Sequence, residues 1–103
     1  TPAAMAAARA AAQAAGVAHM GAHALGAAAY AVKAVTLARA DDPDAQRSEI
    51  RWQLSQLAPE AAAALRRLPH LGGDSAGPLG KGLLASGMLG ETIREIQAVV
   101  GAS

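Results

Sequence analysis

The residues best spaced for chemistry are His19 and His23. On an unbroken helix, imidazoles at i and i+4 face the same way and can share a metal ion. The run His19-Met20-Gly21-Ala22-His23 lacks the Glu that follows the first His in zincin proteases, so that chemistry is excluded. A third ligand would have to come from Asp41, Asp44, Glu49 or His70. If the helix breaks at Gly21, the two rings flank a corner, where histidines more often cap carbonyls or pack under a loop than bind metal. No metal and no cofactor are therefore expected, with a metal or ligand site on His19 and His23 kept as the alternative.

Tyr30 and Lys33 continue the His23 side of a helix, and Gly26 leaves a notch in the middle of that face. A pocket lined by His23, Tyr30 and Lys33 is one reading. The plainer one is a Tyr whose hydroxyl reaches a buried polar partner. The segment Gly72 to Gly82 is rich in Gly but fails as a phosphate loop, because Ser75 and Gly82 stand where Gly and Ser or Thr are required and no strand precedes it. Ser75 and Ser86 lie outside any nucleophile-elbow pattern. No pair of carboxylates stands out as acid and base, so the chain does not read as an enzyme.

The elements that must position these residues are helices. The chain has 103 residues, 52% of them hydrophobic but only 2% aromatic, and most of the apolar content is Ala. Ala is the best helix former and buries little area, so stability must come from many close approaches of backbone to backbone. Thr1-Pro2 predicts an N-cap with Pro at the first helical position. Helical pattern then runs to about Arg39; one straight helix of that length would span roughly 55 Å, too long for a domain of this size. A break at Gly21 divides it into an antiparallel αα-hairpin of two nearly equal arms. The second arm, carrying Leu25, Val32 and Val35 on one stripe and Tyr30 and Leu37 on another, is expected to be central.

Asp42 predicts a cap for a helix from Pro43 to Leu57, with Ile50, Leu54 and Leu57 facing the core and Trp52 on another side. As the only Trp in an Ala-rich chain, Trp52 is nevertheless expected to plug the centre; exposed, it would be an aromatic anchor for a partner. Pro59 opens a short helix through Leu68, with Arg66 and Arg67 in its last turn. Pro69 to Pro78 reads as a loop, and Leu79 to Val100 as a last helix kinked near Gly87 and Gly90, with Ile93, Ile96 and Val100 inward. The fold expected is all-α, a compact bundle of four to six helices in a single domain over residues 1–103. The opening on Thr1 rather than Met leaves open a longer protein of which this is the C-terminal part.

Nine basic and eight acidic residues give a net charge of +1 without a clustered basic surface, so no nucleic-acid partner is expected. The Ala-rich third is interrupted by Arg9, Gln13, His19, His23 and Lys33, which argues against a membrane span. The absence of Cys excludes disulfides and thiolate zinc sites and suits the cytoplasm. A chain so poor in large apolar residues can complete its core by dimerising, so a self-associating helical scaffold is one function to weigh.

The run from Arg9 to Val35, RAAAQAAGVAHMGAHALGAAAYAVKAV, resembles the bacterial putative immunity protein family of polymorphic toxin systems. The resemblance rests on the His19–His23 corner and on a helix carrying Gly26, Ala27, Tyr30, Ala31, Lys33, Ala34 and Val35. A second element adds Glu49, Trp52, Gln53, Gln56, Leu57 and Pro59, so the likeness spans Arg9 to Glu60 and fades from Pro69 onward. It implies further helices ahead of the first one here. It also implies a non-catalytic protein that binds a cognate toxin in the cytoplasm, with His19, His23, Tyr30, Lys33, Glu49, Trp52 and Gln53 as the motif residues to examine.

Overall fold

The Thr1 side chain accepts a hydrogen bond from the Ala4 N–H (3.0 Å), and the first helix, α1, runs Pro2–Ala15. Cap and start are those expected of Thr-Pro. The computed structural model describes residues 1–15, 17, 21–73, 77 and 79–102, apart from the Ala15 side chain. Among them are five α-helices and a short 3-10 turn: α1, α2 (His23–Ala38), α3 (Ala45–Ser55), α4 (Pro59–Arg66), the 3-10 turn Leu83–Ala85, and α5 (Gly87–Gly101). The all-α class holds, with a radius of gyration of 12.9 Å.

α1 and α2 form an antiparallel hairpin of 14 and 16 residues, near equality as expected. Their pairing runs end to start: Gln13 meets His23, while Met5 and Arg9 share a groove with Tyr30, Lys33 and Leu37. The first turn of α2 is tightened by three-residue hydrogen bonds from Ala24 N–H to Gly21 O and from Leu25 N–H to Ala22 O. α2 is the central element, packing on α1, α3 and α5. Its Leu25, Ala29 and Val32 are buried in one core with Ile50, Leu84, Leu89, Ile93, Ile96 and Val100.

Several boundaries differ from expectation. α3 begins at Ala45 rather than Pro43, because Asp42 to Ala45 close as a turn: the Asp42 carboxylate accepts from Asp44 N–H (2.9 Å), and the first four-residue bond runs from Ser48 N–H to Asp44 O. α4 ends at Arg66, with Arg67 and Leu68 in a looser last turn. The predicted helix from Leu79 is shorter. Leu79 belongs to the preceding connection and is fully buried, as a plug in the core. Gly87 has φ +56°, a left-handed conformation at which the chain turns from the 3-10 segment into α5.

The long connection is held to α5 by side chains. The Gln97 amide donates to Pro69 O (2.9 Å) and accepts from Leu71 N–H (3.0 Å), and Arg66 donates to Val100 O (3.2 Å) at the end of α5. Arg94 donates to Ala85 O (2.8 Å), fastening the 3-10 turn. A Cβ at Gly90 would sit 2.5 Å from that same carbonyl oxygen, so only Gly lets the turn lie so close.

Candidate functional site

Helical phase decides where Trp52 goes. Ile50 of α3 is buried against the core, and Leu54 and Leu57 pack around it. A residue two positions from Ile50 is rotated about 200° around the helix and must face away. Trp52 is 58% exposed, on the surface rather than in the centre of the bundle. It borders a shallow depression of about 400 Å³ with Val35 of α2, with Arg39 just past the end of α2, and with Ser48 and Glu49 of α3.

Next to Trp52 along α3, Gln53 ties the two helices together. Its amide donates to the Ala28 carbonyl of α2 (3.3 Å) and to the Glu49 carboxylate (3.0 Å). Glu49, which lines the depression, is held by this hydrogen bond. Three of the residues singled out in the sequence, Glu49, Trp52 and Gln53, come together here, and each has a distinct place: held carboxylate, exposed ring and helix-to-helix bracket.

His23 is placed elsewhere. Its Nδ1 lies 2.7 Å from Gln13 Oε1, so with the amide oriented that way Nδ1–H donates across the hairpin. Gln13 reaches it by crossing Gly26, where a Cβ would stand 2.5 Å from the amide oxygen. The notch at Gly26 is thus filled from α1 by the Gln13 side chain. His19 lies outside the described residues. Among the described residues no group of three or more His, Asp or Glu is placed to hold a metal ion.

Tyr30 and Lys33 line a separate groove of about 150 Å³ between α1 and α2, with Met5, Ala6, Arg9 and Leu37. Tyr30 is buried, but among the described residues its hydroxyl makes no hydrogen bond, so the buried polar partner expected for it is not found there. Met5 (58% exposed) and Leu37 (37%) leave apolar surface open at this groove. A third depression, of about 460 Å³ between α3 and α5, is edged by Arg47, Glu91 and Glu95 and has no exposed large apolar side chain.

Gln13 and Arg39 escaped the reading from sequence. Gln13 is the single polar residue between Arg9 and His19, which is the signal that would have found it. Arg39 carries no such mark, since only the turn into α3 brings it beside Trp52. The depression thus sets an exposed aromatic ring beside a guanidinium, a carboxylate and the Ser48 hydroxyl.

A family model described as Imm-5 like putative immunity protein matches residues 1–60. That segment contains α1 to α3 and every residue lining the Trp52 depression and the α1–α2 groove. No curated protein and no solved structure matches the chain.

Proposed function

Because the chain belongs to the Imm-5 like putative immunity protein family, we propose that it neutralises a cognate toxin in the cytoplasm of the producing cell by non-catalytic binding, with Trp52 as the central contact. The observation that carries this reading is the exposure of Trp52 within the family-matched segment. Exposed Trp is costly to solubility and uncommon without a use, and Trp and Arg are the side chains most often found at the energetic centre of interfaces. Arg39 and Glu49 on either side supply charges of both signs at the rim, which select among partners more than they add affinity. Gln53 supports the site by fixing α3 on α2, so that the ring and the two charges are held on rigid helices before binding.

Among the described residues no helix is long and apolar enough to cross a membrane. The test uses the toxin-like product of the gene adjacent to the one encoding this chain. Calorimetry with the intact chain is expected to give a saturable complex, and Trp52→Ala is expected to weaken it at least about tenfold, the loss typical of an aromatic hot spot. Unchanged affinity in Trp52→Ala would remove Trp52 from the interface. Absence of any complex would overturn the toxin-binding reading itself.

A further inference from the structure

The first forty residues contain Arg9, Lys33 and Arg39 and not one Asp or Glu, whereas the next twenty contain Asp41, Asp42, Asp44, Glu49 and Glu60. The hairpin is therefore a purely cationic module in a chain whose net charge is only +1. Two of its cations, Arg9 on α1 and Lys33 on α2, stand at the same groove, and among the described residues neither meets a carboxylate. Between them the groove is apolar, formed by Met5, Ala6, Tyr30 and Leu37. Its volume of about 150 Å³ suits one large aliphatic or aromatic side chain rather than a cofactor.

We propose that the α1–α2 groove is a second docking surface, taking an acidic amphipathic helix of a protein partner with one apolar side chain inserted between Arg9 and Lys33. The argument is charge complementarity. Two unpaired cations beside open apolar surface leave a carboxylate-bearing segment as the partner that satisfies both, and a basic or neutral segment leaves them unmet. Nucleic acid is the weaker fit, because two cations around an apolar slot give neither a phosphate track nor stacking along a strand. The surface lies on the hairpin, apart from the Trp52 depression on α2 and α3, so a single partner can engage both or two partners one each. The inference rests on the reading of this chain as a protein-binding module, but not on Trp52.

The test is titration of the full chain with two labelled helical peptides of about 14 residues, each with Leu at i, i+3 and i+7, one with Glu and the other with Lys at the remaining positions. The Glu peptide is expected to bind about tenfold more tightly at low salt, to lose that preference by about 0.5 M salt, and to shift the amide resonances of Met5, Arg9, Tyr30 and Lys33. Arg9→Glu with Lys33→Glu is expected to invert the preference. Arg9→Glu alone, at an exposed position that leaves the fold intact, is expected to reduce it severalfold. Equal binding of the two peptides, a preference indifferent to salt and to Arg9→Glu, or displacement of the Glu peptide by equimolar duplex DNA would overturn the proposal. Trp52→Ala is expected to leave peptide binding unchanged. Absence of any toxin complex with the intact chain, with the peptide preference present, removes only the function proposed above, and a toxin complex without the peptide preference removes only this groove.

Discussion

α1 and α5 are helices of almost the same length, 14 and 15 residues, yet they are fastened by opposite means. α5 buries Leu89, Ile93, Ile96 and Val100, four large side chains each worth about 1.5–3 kcal/mol of transfer free energy. Among the described side chains of α1 only Ala6 is buried, yet the helix packs extensively along α2. Its attachment is close approach between small side chains, with the Gln13–His23 hydrogen bond at one end. One helix is held by area and the other by closeness. The same difference explains where surface is left for partners: α5 has spent its apolar face on the core, while Met5, Tyr30 and Leu37 still line an open groove beside α1.

This contrast can be broken from either side. Ile93 is fully buried, so Ile93→Ala should cost about 3 kcal/mol, within the range for truncations that leave a cavity. Urea unfolding that gives a loss below about 1 kcal/mol would mean that α5 does not anchor the core by area. On the hairpin the damaging change is the reverse one. Ala29 of α2 is also fully buried, and Ala29→Leu should cost about 2 kcal/mol by overpacking. A neutral or stabilising Leu there would show that this part of the core is loosely filled.

α5 also holds a flaw. Thr92 is fully buried and, among the described residues, its hydroxyl has no hydrogen-bond partner. Thr92→Val keeps the shape and removes the stranded hydroxyl, so it should stabilise the fold by about 1 kcal/mol. Calorimetry should then register a rise of several degrees in Tm. A fall would reveal a partner for the hydroxyl.

What was legible in the sequence follows the same division. Thr1-Pro2 announced the start of α1, and Ile93, Ile96 and Val100 announced the inner face of α5, because caps and helical periodicity are local signals. Leu79 was not legible: it reads as the first residue of a helix, but tertiary packing draws it into the core from the end of a connection. Gly90 reads as a kink, and its actual reason is the Ala85 carbonyl, a contact outside the helix that spacing within the helix cannot reveal. Gln13 and Gly26 form one feature across two helices, and neither residue announces the other. Of the candidate site, the grouping of Glu49, Trp52 and Gln53 on one helix was visible, whereas the contribution of Val35 and Arg39 depended on how α2 turns into α3.

Trp52 is where two sequence arguments competed. Its spacing from Ile50 placed it on another side of α3, while its being the only Trp suggested the core. Helical phase prevailed because rotating the ring inward would carry Ile50 out of its buried place against the core. The smallest stability effect follows from this outcome. Trp52→Ala should change unfolding free energy by no more than about 0.5 kcal/mol, as for surface substitutions in general. Ile50→Ala, two residues away, should cost about 2–3 kcal/mol. If Trp52→Ala instead proved as destabilising as Ile50→Ala, the ring would be contributing to the fold, and any loss of partner binding in that variant could no longer be assigned to a direct contact. A stable Trp52→Ala protein that has lost its partner assigns the ring to recognition.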